Sequence, residues 1–140
     1  MTAKFEILTN FIKDMSSETP DLKTYLHVKD KIPSYQLNIQ INTKPLKNRM
    51  IEVNTLLSFS DKEQSEIKSY FEIVYVSIIK IDENVKDKKD IEKIVLCDLQ
   101  KIIYPKIEKI FLNILNDSGY PGIKIEKKID FEQLYKERSK

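Results

Sequence analysis

The chain has 140 residues and 16.5 kDa, enough for one domain over residues 1–140 that buries roughly two-thirds of the surface its unfolded form exposes, without disulfide staples. Lys plus Arg is 24 against Asp plus Glu 22, a net charge of +2, so there is no general basic footprint for nucleic acid. The sequence lacks the roughly 20 uncharged apolar residues of a membrane span, and the opening MTAKFEILTNFIKDM alternates instead of carrying a signal-peptide core, which together predict a cytoplasmic protein.

Ala3 to Asp14 sets Phe5, Ile7, Thr9 and Phe11 on one side against Glu6, Leu8, Asn10 and Ile12 on the other, the period of a first strand. SSETPD reads as a break with turn chemistry, which leaves Asp14 and Glu18 as two carboxylates at an exposed strand exit. Leu22 to Pro33 reads as an irregular crossing segment anchored by Tyr25, Leu26 and Val28 and ended by Pro33. From Tyr35 to Asn42, Tyr35, Leu37, Ile39 and Ile41 alternate without error against Gln36, Asn38, Gln40 and Asn42. TKPLKN turns the chain, Arg49 to Phe59 alternates again, and SDKEQSE makes a polar hairpin connection.

Ser69 to Ile81, SYFEIVYVSIIKI, is the longest β-branched and aromatic run and the expected central strand. Phe71, Ile73, Tyr75, Ser77, Ile79 and Ile81 form a face that calls for a helix layer, while Tyr70, Glu72 and Lys80 mark the outward one. After Ile81 the period changes to that of a helix, with a stripe at Ile91, Ile94, Val95 and Leu99, an interruption at Pro105, and a second stripe at Ile107, Ile110, Phe111, Ile114 and Leu115. Gly119 is the expected left-handed cap, and Asp130 with Gln133 starts a tail helix holding Phe131, Leu134 and Tyr135. Strands followed by helices predict an α+β fold, a four-stranded antiparallel sheet with C-terminal helices on one face. A central strand apolar on both sides, together with the stripe Ile107, Ile110 and Ile114, predicts a homotetramer.

Enzymatic chemistry finds little support in the residues. His27 is the single histidine and Cys97 the single cysteine, 70 positions apart, so neither a nucleophile with its base nor a metal site is expected. Gly119 and Gly122 are the only glycines and cannot cradle a phosphate, so no cofactor is expected either. The basic stretch Lys124, Lys127, Lys128, Lys136, Arg138 and Lys140 reads as a solvated face, its aromatics Phe131 and Tyr135 being at helical spacing. Tyr25 and Leu26 in the weakly patterned segment, and Tyr104 at the helix break, are the candidate apolar surface for holding another chain.

IKDMSSETPD resembles the KD-x-S-x-E-x-P signature of the SecB export chaperones, and YFEIVYVSII is similar to their E-x-x-Y-x-G-I strand, with Ser77 at the glycine. IIYPKIEKIFLNILNDSGYPGIKI resembles their L-x-P-x-A-R helix closed by G-x-P, with Ile107 and Glu108 at the alanine and arginine, and FEQLYKER is similar to their N-F-x-x-L-Y tail. The resemblance runs from about Phe5 to Tyr135. It implies an ATP-independent holdase, a dimer of dimers with sheets outside and helices sandwiched between. Such a chaperone keeps unfolded precursor proteins non-native and passes them to the translocation ATPase SecA, without a cofactor, nucleic acid or membrane insertion. It implies SecA-docking positions at Asp14, Glu18 and Glu72, with Tyr70 as the apolar docking position. Two alternatives stay open: a SecB-like chaperone serving a toxin-antitoxin pair, and an α+β binding or scaffold protein that is no chaperone.

Overall fold

The computed structural model describes residues 4–61, 68–123 and 129–138. Strand β4, Tyr70–Ile81, pairs antiparallel with β1, Phe5–Glu18, on one side and with β3, Met50–Asp61, on the other, and β3 pairs with β2, Tyr35–Pro45. The sheet order is β1-β4-β3-β2, so the strand with the strongest β pattern occupies an interior position. Its residues Phe71, Ile73, Tyr75, Ser77, Ile79 and Ile81 are all buried, as a face under a helix layer must be. The β2–β3 turn brings Asn48 and Arg49 into the left-handed region, at φ 59 and 61. Arg49 is held there by its guanidinium, which donates to the carbonyls of Ile81, Asp82 and Val85 and ties the hairpin to the end of β4.

β1 departs from its expected pattern in two ways. It runs through SSE to Glu18, because Ser16, Ser17 and Glu18 pair with Glu72, Phe71 and Tyr70, and a continued ladder with β4 satisfies more backbone groups than a serine turn would. Asp14 and Glu18 are therefore strand residues, not turn residues. The register also shifts between Ile7 and Thr9 and between Ile12 and Asp14. Each extra residue moves the rest of the strand to the other face, so Phe5, Ile7, Asn10, Ile12 and Met15 share the helix-side face while Thr9 and Phe11 turn to the open one.

The segment expected to be irregular is a helix. α1, Leu22–Lys31, starts at Asp21, whose side chain accepts from the Thr24 amide at 2.8 Å. It buries Thr24 and Val28, carries Lys29 and Lys31 in its last turn, and leads through a short 3-10 turn, Ile32–Ser34, into β2. The helical half begins with α2, Lys88–Lys93, capped by Asp87, and continues through a π-helical turn, Ile94–Asp98, into α3, Leu99–Asp117. Pro105 does not interrupt α3. Pro105 and Lys101 are both exposed, so the Lys101 carbonyl that loses its amide partner lies on the wet side of the helix. The irregularity falls instead at the π turn, which buries Ile94, Val95, Leu96 and Cys97.

α3 ends as its sequence predicts. Gly119, at φ +100, donates to Asn116, and Tyr120 donates to the Leu115 carbonyl at 3.0 Å, the Schellman arrangement. α4, Phe131–Arg138, is capped by Asp130, which accepts from the Gln133 amide. It buries Phe131 against Tyr104 and ties Glu132 to Lys101 at 2.9 Å. Most of the SDKEQSE connection, and Lys124, Lys127, Lys128 and Lys140, lie outside the described residues.

Candidate functional site

The sheet face turned away from the helices carries the carboxylates. There β1 presents Asp14, Ser16 and Glu18 directly opposite Val74, Glu72 and Tyr70 of β4. Opposed residues share a face, and diagonal neighbours lie about 7–8 Å apart, so Glu72 stands between Asp14 and Glu18 on one corner of the sheet. Tyr70 is 39% exposed beside Glu18. On the β3 side Glu72 is opposite Ser58. Asp14, Glu18 and Glu72 make no side-chain hydrogen bond or ion pair among the described residues, so this corner concentrates unneutralised negative charge around a phenol. Farther along the same face Leu56, Val74 and Ile78 are half-buried and Phe11 is exposed, which makes the surface mixed rather than uniformly polar.

The second surface belongs to α1. Leu26 is 53% exposed, and one turn earlier Leu22 is 71% exposed. The spacing of four residues stacks the two side chains on one stripe of the helix. Leu22 does not stand out in the sequence, although an aspartate cap followed by leucines four apart is the signal that could have found it. Tyr25 is next to that stripe but is committed to the fold: its hydroxyl donates to the Gly119 carbonyl at 2.8 Å, and its ring packs on Tyr120 with centroids 5.3 Å apart. Below it, the Tyr120 hydroxyl meets the Ser69 hydroxyl at 3.1 Å, Ser69 meets Thr19 at 2.8 Å, and the Ser69 amide donates to the Tyr35 hydroxyl. Ser17 and Ser118 close the same knot between β1 and the end of α3.

Tyr104 lies elsewhere and has little exposed surface of its own. It is 7% exposed, with its ring edge-on to Phe131. It walls a cavity of about 460 Å³ together with Pro105, Glu108, Leu112 and Ile129. Burial first, and the Glu108 carboxylate next to it, push the phenol well above the ordinary tyrosine range. The structure thus brings the four docking candidates together and sets Leu26 beside Tyr25, but leaves Tyr104 apart from both groups.

Among the described residues no set of three or more His, Cys, Asp or Glu side chains is arranged to hold a metal ion, and no helix is long and apolar enough to cross a membrane.

The family profile of preprotein translocase subunit SecB matches residues 1–140. A relative named for SecB from Pelagibacter ubique is 62% identical over 139 residues, spanning 99% of both chains. The protein-export protein SecB of Methylocella silvestris is 27% identical over 94% of this chain and 80% of its own length, and that of Bartonella quintana 26% over 96% and 83%. Among solved structures, a Mycobacterium tuberculosis SecB-like chaperone in complex with a peptide from an antitoxin superposes with a TM-score of 0.64. The match covers 89% of this chain and 91% of that one at 9% identity, a likeness of fold alone.

Proposed function

The chain belongs to the SecB family of preprotein translocase subunits and is a chaperone of protein export, and we propose that it is an ATP-independent holdase that acts in the cytoplasm, keeps precursor proteins non-native and delivers them to SecA. The observation that carries the holdase reading is the apolar surface left open to solvent: Leu22 and Leu26 on α1, with Ile12 and Met15 on the part of β1 that the helices do not reach. Contiguous exposed apolar side chains mark a surface that awaits a partner, and a stripe of leucines without polar recognition groups suits many clients rather than one. In this reading Leu26 and the edge of Tyr25 touch the client, and Tyr104 contributes through its cavity. The toxin-antitoxin alternative gains nothing from the mycobacterial likeness, which extends to the fold only.

The SecA-docking proposal rests on Asp14, Glu18, Glu72 and Tyr70. Like charges held on one sheet corner repel each other in the free protein, and a cationic partner relieves that repulsion as it docks. The holdase is tested by adding the protein in stoichiometric amounts to an unfolded precursor. Slowed refolding or aggregation is expected, and Leu22→Ser with Leu26→Ser should weaken it. Refolding and aggregation at the rate seen without the protein would exclude a holdase.

A further inference from the structure

α1 reaches from one edge strand of the sheet to the other and is fixed at three points. Asp21 caps its start, Val28 is fully buried near its end, and Tyr25 joins it to the C-terminus of α3. At 100° per residue, Tyr25 sits about 60° around the helix from Leu22, on the border between the exposed leucine stripe and the buried face of Thr24 and Val28. The joint is built on both sides. Gly119 has left-handed backbone at φ +100, and a Cβ there would stand 2.8 Å from Cε1 of the Tyr25 ring. The glycine therefore does two things: it closes the α3 cap, and it leaves the notch into which the ring fits, with its own carbonyl accepting the phenol. Tyr120 continues the joint by packing on Tyr25 and, edge-on, on Phe71 in the sheet.

We propose that Tyr25 is a positioning residue for client binding: its latch onto Gly119 and Tyr120 fixes the pose of α1, so that Leu22 and Leu26 meet a client as a preorganised ridge. This rests on the holdase reading and gives Tyr25 a role beyond surface contact. A ridge fixed in advance loses little conformational freedom when it binds, whereas a loosened α1 must be ordered by each client. One neutral hydrogen bond is modest on that scale, so its loss should speed client release by about 3- to 10-fold.

The test is Tyr25→Phe in the full chain, with reduced, carboxymethylated lysozyme as the permanently unfolded probe, at a temperature far below the unfolding midpoint so that folded fractions are equal. Two readouts are taken together: the rate of probe release and amide exchange across Leu22–Lys31. Faster release with faster exchange in α1, while β3 and β4 amides stay as protected as in the parent, is the expected result. Gly119→Ala, which drives the ring from its notch and also strains the α3 cap at its positive φ, should release the probe at least as fast. Unchanged release in Tyr25→Phe, or faster release that accompanies only a general loss of protection throughout the sheet, overturns the latch. Failure of the latch and failure of the holdase separate cleanly: a parent protein that never retains the probe defeats the holdase, whereas a parent that retains it no more firmly than Tyr25→Phe defeats only the latch.

Discussion

Glu18 and Tyr70 stand directly opposite each other across the β1–β4 ladder, on the sheet face the helices leave open, and Ser16 and Glu72 form the next like-faced pair. Replacing Asp14 and Glu72 by alanine should therefore weaken SecA binding without weakening client binding. Exposed charge contacts contribute about 0.2–1 kcal/mol each, so each single change should reduce SecA affinity a few-fold and the double change more, with neighbouring sites free to depart from additivity. Added salt should weaken the parent complex and affect the double variant less. Titration calorimetry against SecA, with thermal midpoints measured alongside, decides it. A folded double variant with parental SecA affinity removes this corner from consideration.

Asp21 gives a pH dependence of known sign. Hydrogen bonds from Thr24, its side chain first and then its amide, hold the Asp21 carboxyl below the ordinary aspartate value of 3.8. In the unfolded chain the group titrates at the ordinary value, so the cap's contribution is complete above that value and fades as pH falls through the lower, folded one. The Thr24 amide proton shift should titrate with a midpoint below 3.8. In Asp21→Asn, which keeps a capping oxygen, that titration should vanish while α1 remains helical. A midpoint at or above the ordinary value would refute the cap's electrostatic contribution.

The strands are legible because a half-buried strand writes its burial into every second residue. Tyr35, Leu37, Ile39 and Ile41 do so in β2, as do the six buried residues of β4. β1 is legible only as far as Ile7, since the irregularities after Ile7 and Ile12 reverse its faces and no local residue type announces them. α1 is hidden because LKTYLHVKDK buries only Thr24 and Val28, too few positions to form a stripe, and its stability comes from a cap and from contacts with Gly119 and Tyr120 far along the chain. Pro105 misleads, because the cost of its missing amide depends on whether the freed carbonyl can reach water. Of the site, the carboxylates can be named from the sequence, but their gathering at one corner depends on the β1–β4 register. The latch of Tyr25 on Gly119 spans 94 positions and leaves no local trace.

Four copies of the 16.5 kDa chain should appear by light scattering at micromolar concentration. The stripe that motivates this is partly spent within the chain: Ile107 is fully buried in the core. Ile110 and Ile114 remain partly exposed, and Ile102 is 58% exposed. Ile102→Glu with Ile114→Glu should shift the mass toward smaller species while circular dichroism is retained. A parent protein that scatters as a monomer ends the tetramer proposal.

Under the sheet, Gln100 of α3 donates from Nε2 to the Thr55 hydroxyl of β3 at 3.0 Å, and both residues are fully buried. The Gln100 carbonyl Oε1 has no hydrogen-bond partner among the described residues. The neighbours Leu57 and Ile73 on the same sheet face are apolar and fully buried. Thr55→Val keeps the volume but strands the glutamine amide, which should cost about 1–3 kcal/mol. Gln100→Leu strands the threonine hydroxyl and should also destabilise. Joined, the two changes leave two apolar groups facing each other and remove the unpartnered carbonyl as well, so the double variant should be more stable than either single one and within about 1 kcal/mol of the parent. Denaturant unfolding at one fixed protein concentration closes the cycle, because association would otherwise contribute to every value. Strictly additive losses would mean that Gln100 and Thr55 are each stabilised by something other than the other, and that their hydrogen bond does not couple α3 to β3.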